Sequence, residues 1–95
     1  MIEVGDYIRT KEGQIYKADE IFLKHANVDI KSHSKNIIDL IEVGDIVNQS
    51  ERILDITGDY ILTTERNCCK SRFEKTIKTI LTHEIYEQNC YKLKE

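Results

Sequence analysis

The amino-acid sequence predicts a mainly β, β-rich α+β domain: small SH3-like barrel units from a duplicated β-unit, with a short C-terminal helix and a closing strand. Three observations predict it. The segment Ile2-Glu3-Val4-Gly5-Asp6-Tyr7-Ile8 returns 39 residues later as Ile41-Glu42-Val43-Gly44-Asp45-Ile46-Val47, with five identities. Short stretches of strand-forming residues alternate with glycine-containing turns, and long helical periodicities are missing. Ninety-five residues suffice for one core and not for a second. An open α+β sheet with the C-terminal helix on one face is the alternative arrangement of the same elements.

Each unit begins at its glycine. Gly5 and Gly44 suit a turn that needs a positive φ, and Asp6 and Asp45 can accept a local backbone N–H that fixes it. In the strand that follows, Tyr7 and Arg9 share one face, Ile8 and Thr10 the other. Lys11-Glu12-Gly13-Gln14 reads as a hairpin connection, and Ile15–Lys17 and Glu20–Lys24 as the next β-rich stretches. A gapless alignment at the same offset sets Ile15 against Leu54 and Ile21-Phe22-Leu23 against Tyr60-Ile61-Leu62. Repeat unit one thus spans about 2–24, unit two about 41–63, with a bridge at 25–40. Ser34–Leu40 in that bridge reads as one helical turn or an irregular link. In unit two, Arg52–Ile56 and Tyr60–Thr63 are strands around the turn Thr57-Gly58-Asp59. Arg66–Lys75 reads as a basic loop, Thr76–Leu81 as a strand, and Thr82–Gln88 as a helix capped by Thr82. Cys90–Leu93 is the expected closing edge strand.

Composition narrows the class further. Hydrophobic residues at 40% and charged residues at 33% fit a soluble globular domain. The longest apolar runs are a few residues, far short of the about 20 that a membrane-spanning helix needs. The N-terminal residues lack a signal-peptide pattern, so the protein is expected to stay in the cytoplasm where it is made. Three cysteines, two of them adjacent, indicate reduced thiols and no disulfide framework. Residues 1–47 hold six Lys/Arg against nine Asp/Glu, whereas residues 48–95 hold eight of each, so the net −3 lies in the first half.

No phosphate-binding loop, dinucleotide glycine motif or nucleophile elbow occurs, and no enzymatic activity is expected. His83-Glu84 has the start of a zinc-protease helix, but Glu87 stands where the second histidine belongs. Cys68, Cys69, His83 and Cys90 supply zinc-ligand chemistry, yet adjacent cysteines lack the usual ligand spacing, so no metal or other cofactor is expected. Solvated histidines are the reading for His25 and His33. Asp6 and Asp45 shape turns and do no chemistry. Two surfaces remain. The acidic residues Glu3, Glu12, Asp19, Glu20 and Asp29 are candidates for contact with a protein partner. The basic segment carries Arg66, Lys70, Arg72, Phe73, Lys75 and Lys78, which could hold phosphates while the aromatic ring stacks on a base.

The stretches Val4–Thr10, Asn36–Asp45 and Ile77–Thr82 together resemble small SH3-like-repeat proteins common in phages and prophages of Firmicutes. The second copy departs from that pattern in having Asn48-Gln49-Ser50 where a glycine-containing turn is usual. The resemblance implies no catalytic residues. It implies an accessory role such as anti-CRISPR inhibition, in which a small acidic protein occupies the nucleic-acid-binding surface of a host nuclease or defence complex. The expectation is therefore a non-enzymatic protein-binding module, with nucleic-acid binding as the alternative and a homodimer open to it through exposed strand edges.

Overall fold

A computed structural model describes residues 2–25 and 27–89. Among the described residues, eight strands form two antiparallel sheets. Strands β1 (Tyr7–Thr10), β2 (Ile15–Lys17) and β3 (Ile30–Ser34) make a three-stranded sheet in the order β2-β1-β3. Strands β4 (Ile46–Val47), β5 (Glu51–Ile56), β6 (Tyr60–Thr63), β7 (Asn67–Cys69) and β8 (Ile80–Leu81) make a five-stranded one, in the order β7-β6-β5-β4-β8. Helices α1 (Glu20–His25), α2 (Lys70–Thr76) and α3 (His83–Asn89) and a 3-10 turn at Ile37–Leu40 complete the described residues.

The repeated turns take the same conformation. Gly5 and Gly44 have φ of 91° and 96°. The Asp6 N–H donates to the Glu3 carbonyl at 3.0 Å, and the Asp45 N–H to the Glu42 carbonyl at 3.1 Å. Each aspartate returns the bond through its side chain: Glu3 N–H donates to Asp6 Oδ2 at 3.1 Å, and Glu42 N–H to Asp45 Oδ2 at 2.9 Å. This reciprocal pair requires a short carboxylate at the last turn position and a residue without Cβ before it.

The duplication extends into topology. The first strand of each unit is central, with the second strand on one side and the last on the other: β1 between β2 and β3, β4 between β5 and β8. A helix precedes each last strand, and a helical segment follows it. The gapless alignment, however, fails after the first strand. Tyr7 faces Lys17 and Ile46 faces Arg52, so the offset at the second strand is 52 − 17 = 35. The connection in unit one is four residues longer, and Ile15 and Leu54 are not equivalent.

Three further expectations are corrected. Residues 20–25 form α1 and no strand, because Asp19 caps them: its Oδ1 accepts the Phe22 N–H at 2.7 Å. That cap, with Glu20 at the start and Lys24 at the end, outweighs the β preference of Ile21-Phe22-Leu23. The segment 66–75 is no loop but β7 followed by α2, held by pairing of Cys68 with Ile61 and by burial of Phe73. The strand expected over 76–81 shrinks to Ile80–Leu81. Asn48 occupies the remaining backbone groups, accepting the Lys78 N–H at 2.7 Å and donating to the Thr76 carbonyl at 2.9 Å. The closing strand expected at 90–93 lies outside the described residues.

Where the repeat lacks a glycine turn, Asn48 and Gln49 themselves adopt φ of 53° and 71°. Asparagine tolerates this region better than most residues, and its side chain finds partners there.

The main apolar core belongs to unit two: Ile41, Val47, Ile53, Ile61 and Phe73, with Ile38, Ile56, Cys68, Ile77 and Ile80 packed around them. Among the described residues, unit one and the bridge after it contribute only Ile8, Ala18 and Leu40 as fully buried apolar side chains. Three strands this short need a covering layer, and unit two supplies it. Gly13 permits a close approach between the units. A Cβ there would lie 2.7 Å from Glu84 Cβ and closer still to Thr82 Oγ1, at a φ of 94°.

Candidate functional site

The contact between the units is built on Arg9. Strand alternation turns Arg9 toward unit two, and its side chain is wholly buried. Burial of an unpaired guanidinium costs several kcal/mol, so the fork must be filled. It is: Nη1 lies 2.5 Å from Asp45 Oδ2 and Nη2 lies 2.9 Å from Asp45 Oδ1, a bidentate pair with a fully buried carboxylate. Nη1 also donates to the Leu40 carbonyl at 2.9 Å, and Nη2 to Glu84 Oε1. Nε makes no hydrogen bond and sits 3.4 Å from Glu42 Oε2.

A second layer of charge covers this pair. Lys31 Nζ bridges Glu42 Oε1 at 2.8 Å and Glu84 Oε2 at 2.9 Å. His83 Nε2 lies 2.8 Å from Glu42 Oε1. The His83 N–H donates to Asp45 Oδ1 at 2.9 Å, so Asp45 holds the first turn of α3. Thr82, expected to cap that helix, instead donates its hydroxyl to the Gly13 carbonyl at 2.6 Å. Unit one thus supplies Arg9 and Lys31, and unit two supplies Glu42, Asp45, His83 and Glu84.

The equivalent turn in unit one repeats the device nearer solvent. Lys35 Nζ sits 2.9 Å from Asp6 Oδ1, and His33 Nδ1 lies 3.3 Å from Asp6 Oδ2. In both units the turn aspartate is engaged by the residue immediately beyond the last strand or close to it.

Glu42, His83 and Glu84 are the one group of metal-ligating side chains brought together among the described residues. Lys31 and Arg9 already supply the positive charge between those carboxylates. The arrangement is an ion-pair network.

Its electrostatics carry a pH dependence. Burial pushes the Glu84 carboxyl up, but hydrogen bonds from Arg9 and Lys31 outweigh it and hold the group at about 2, below its ordinary 4.5. Burial also raises Glu42, and Lys31 and His83 bring it below its ordinary value. Asp6 is lowered by Lys35 and by the Glu3 N–H. Groups depressed in the folded state stabilise it fully above their unfolded pKa and lose that contribution as pH falls through the folded one. The urea midpoint is therefore expected to hold from pH 7 to about 5 and to fall steadily toward pH 2. Glu84→Gln should flatten part of that fall; an unchanged midpoint at pH 3 in the wild type would refute the pairing.

The residues nominated from sequence do not converge. Glu3, Asp19 and Glu20 lie at the end of sheet one where β1 begins, since Gly5 N–H bonds the Ala18 carbonyl. Glu12 and Asp29 lie at the other end, where Lys11 N–H bonds the Asp29 carbonyl. All five are exposed. In the basic segment, Phe73 is corrected outright: its ring is 0% exposed and forms part of the core, so it offers no stacking surface. Arg66 stacks over that ring at 4.7 Å and pairs with Glu51, Nε to Oε2 at 2.8 Å. Arg72, Lys75 and Lys78 are exposed and Lys70 half-buried, and none of the four pairs with a carboxylate among the described residues.

Cys68 and Cys69 sit on β7 and His83 just beyond β8, at opposite edges of sheet two with three strands between them. These residues assemble no zinc site among the described ones, and Cys90 lies outside them. The Ser71 hydroxyl and the Arg72 backbone lower the Cys69 thiol.

The Arg9–Asp45 cluster was not nominated from sequence. Its signal was present in the repeat, which put Asp45 at a turn position made for accepting hydrogen bonds. No helix among the described residues is long and apolar enough to cross a membrane. No family model, curated protein or solved structure matches the chain.

Proposed function

We propose that this chain is a non-enzymatic protein-binding module of phage or mobile-element origin. It covers a basic, apolar surface on a bacterial host protein, such as the nucleic-acid-binding face of a nuclease or defence complex. The five antiparallel strands of unit two, wound β7-β6-β5-β4-β8, are read as an SH3-like barrel unit that serves as scaffold.

The observation that carries the proposal is α1. None of its six residues is buried, and Ile21 and Leu23 are 71% and 43% exposed. Exposed Val4 lies across the Gly5–Ala18 hydrogen bond from this helix. Glu3, Asp19 and Glu20 lie on the side of the patch where the helix begins, which gives an apolar centre with an acidic flank, and Lys24 and His25 close its other end. A helix held by its cap and contributing nothing to the core is suited to lending its apolar side chains to a partner.

The test is affinity capture from a Firmicutes lysate with wild-type protein and Ile21→Glu. Ile21 is exposed, so the variant should keep the wild-type melting temperature. A nuclease or other nucleic-acid-binding protein retained by the wild type and lost in the variant is the expected result. Identical captures would overturn the reading.

Nucleic-acid binding is the second reading, favoured by Lys70, Arg72, Lys75 and Lys78, which pair with no carboxylate among the described residues. Salt-dependent retention of single-stranded DNA, lost in Arg72→Ala/Lys75→Ala, would put it first.

A further inference from the structure

The face of β1 that sends Arg9 into the ion cluster sends Tyr7 into a cleft. With Tyr7 and Ile15 from sheet one, Ile37 from the 3-10 turn and Ile77, Lys78, Thr79 and Ile80 from unit two, the seam between the units opens into a space of about 270 Å³. A second hollow of about 230 Å³ continues past Lys78 and Thr79 to Asn48 and Gln49.

The lining has two chemical parts. Ile15, Ile37, Ile77 and Ile80 are each half-buried and leave apolar surface facing the cleft. An occupant would remove that surface from water, which favours an apolar body there. Lys78 stands where the two hollows meet. Lys17, on the same face as Tyr7 and Ile15, holds its ammonium 5.4 Å from the Tyr7 ring centroid. Neither lysine pairs with a carboxylate among the described residues. This contrasts with Lys31 and Lys35, whose ammonium groups are both engaged by carboxylates. The segment bearing Lys78 is held rigidly, because Asn48 Oδ1 accepts its N–H and the Asn48 N–H bonds the Thr79 carbonyl at 2.9 Å.

We infer that this cleft is a binding site for a small amphipathic monoanion, an aromatic or branched aliphatic carboxylate, with its apolar body among the four isoleucines and its carboxylate at Lys78. The volume equals on the order of nine liquid water molecules, which matches a single ring with a short acid side chain. A pocket with a mainly apolar lining and a few polar groups, here Tyr7, Lys78 and Thr79, has the form of a small-molecule site. This inference is independent of the α1 surface.

The experiment is a titration of isotopically labelled full-length protein, followed by amide resonances, with three probes: 3-phenylpropionate, its neutral amide, and acetate. The acid is expected to shift the amides of Ile15, Ile77 and Ile80 saturably, with a Kd of about 1 mM or tighter. The amide should bind at least about tenfold more weakly, a loss of one charged contact, and acetate should leave those amides unmoved. Lys78→Met, an exposed position outside the core, should keep the fold and weaken the acid to the level of the amide. Equal affinity for acid and amide would overturn the assignment of the Lys78 ammonium. Failure of the acid to shift those amides saturably would overturn the site.

Discussion

Arg9→Met is expected to destabilise the fold by about 3–5 kcal/mol, measured as the loss in urea-unfolding free energy. The size follows from what the substitution leaves behind. Asp45 is fully buried, and without Arg9 its carboxylate keeps only the Glu42 and His83 N–H donors. Glu84 loses its buried partner as well, and Glu42 a nearby charge. Arg9→Lys should recover little of this loss, because an ammonium cannot fill two parallel bonds to Asp45 and still reach the Leu40 carbonyl. The double variant Arg9→Met/Asp45→Asn separates pairing from packing. Its destabilisation should fall short of the sum of the single changes by about 2 kcal/mol or more. Strict additivity would mean that the pair is a geometric coincidence.

Phe73→Ala should cost about 3–5 kcal/mol, also read from urea unfolding. The ring is the largest apolar side chain among those wholly buried, and it packs with Ile41, Val47, Ile53 and Ile61. The truncation leaves a cavity that short strands on one side and a seven-residue helix on the other cannot close. It also strips the stacking surface from Arg66, whose pairing with Glu51 and Thr76 ties the β6–β7 connection to the end of α2. Phe73→Leu should cost much less. A base-stacking phenylalanine at the surface would instead tolerate alanine without loss of stability.

These two residues mark where sequence reading succeeds and where it stops. The Gly-Asp turns were legible because their chemistry is local: a residue able to adopt positive φ and a carboxylate three residues from the N–H it accepts. The hairpin at Thr57-Gly58-Asp59 and the helix after Thr82 were legible too, although the carboxylate that holds the first turn of that helix is Asp45, 38 residues away, and not Thr82. Arg9 was not. An arginine alternating with Ile8 and Thr10 in a short strand reads as a solvated face, and its burial depends on Asp45 and Glu84, 36 and 75 residues away. Phe73 read as an exposed aromatic because five cations surround it in sequence, whereas the helical spacing of α2 turns it into the core with Arg66 stacked over its ring. The acidic candidates failed to form one surface because β1 carries them to opposite ends. In unit one, Asp19 overrode a run of β-forming residues, which hid α1 and with it the surface that carries the proposed function.

The ion cluster also accounts for how an apolar-poor first unit persists. Sheet one buries little of its own, so its stability rests on Arg9, Leu40 and the contact of Gly13 with α3. The two copies of the turn therefore serve different ends. Asp6 closes its own unit through Lys35, whereas Asp45 reaches across the seam to its counterpart's strand.

The direct test of this account is a residue-resolved urea titration following the amides of Ile8 in unit one and Ile53 in unit two. Both should lose their native resonances at one common urea concentration, because neither unit holds its buried charge without the other. If Ile8 unfolds at distinctly lower urea while Ile53 stays native, the units are joined only by their chain, and the buried Arg9–Asp45 pair does not bind them into one fold.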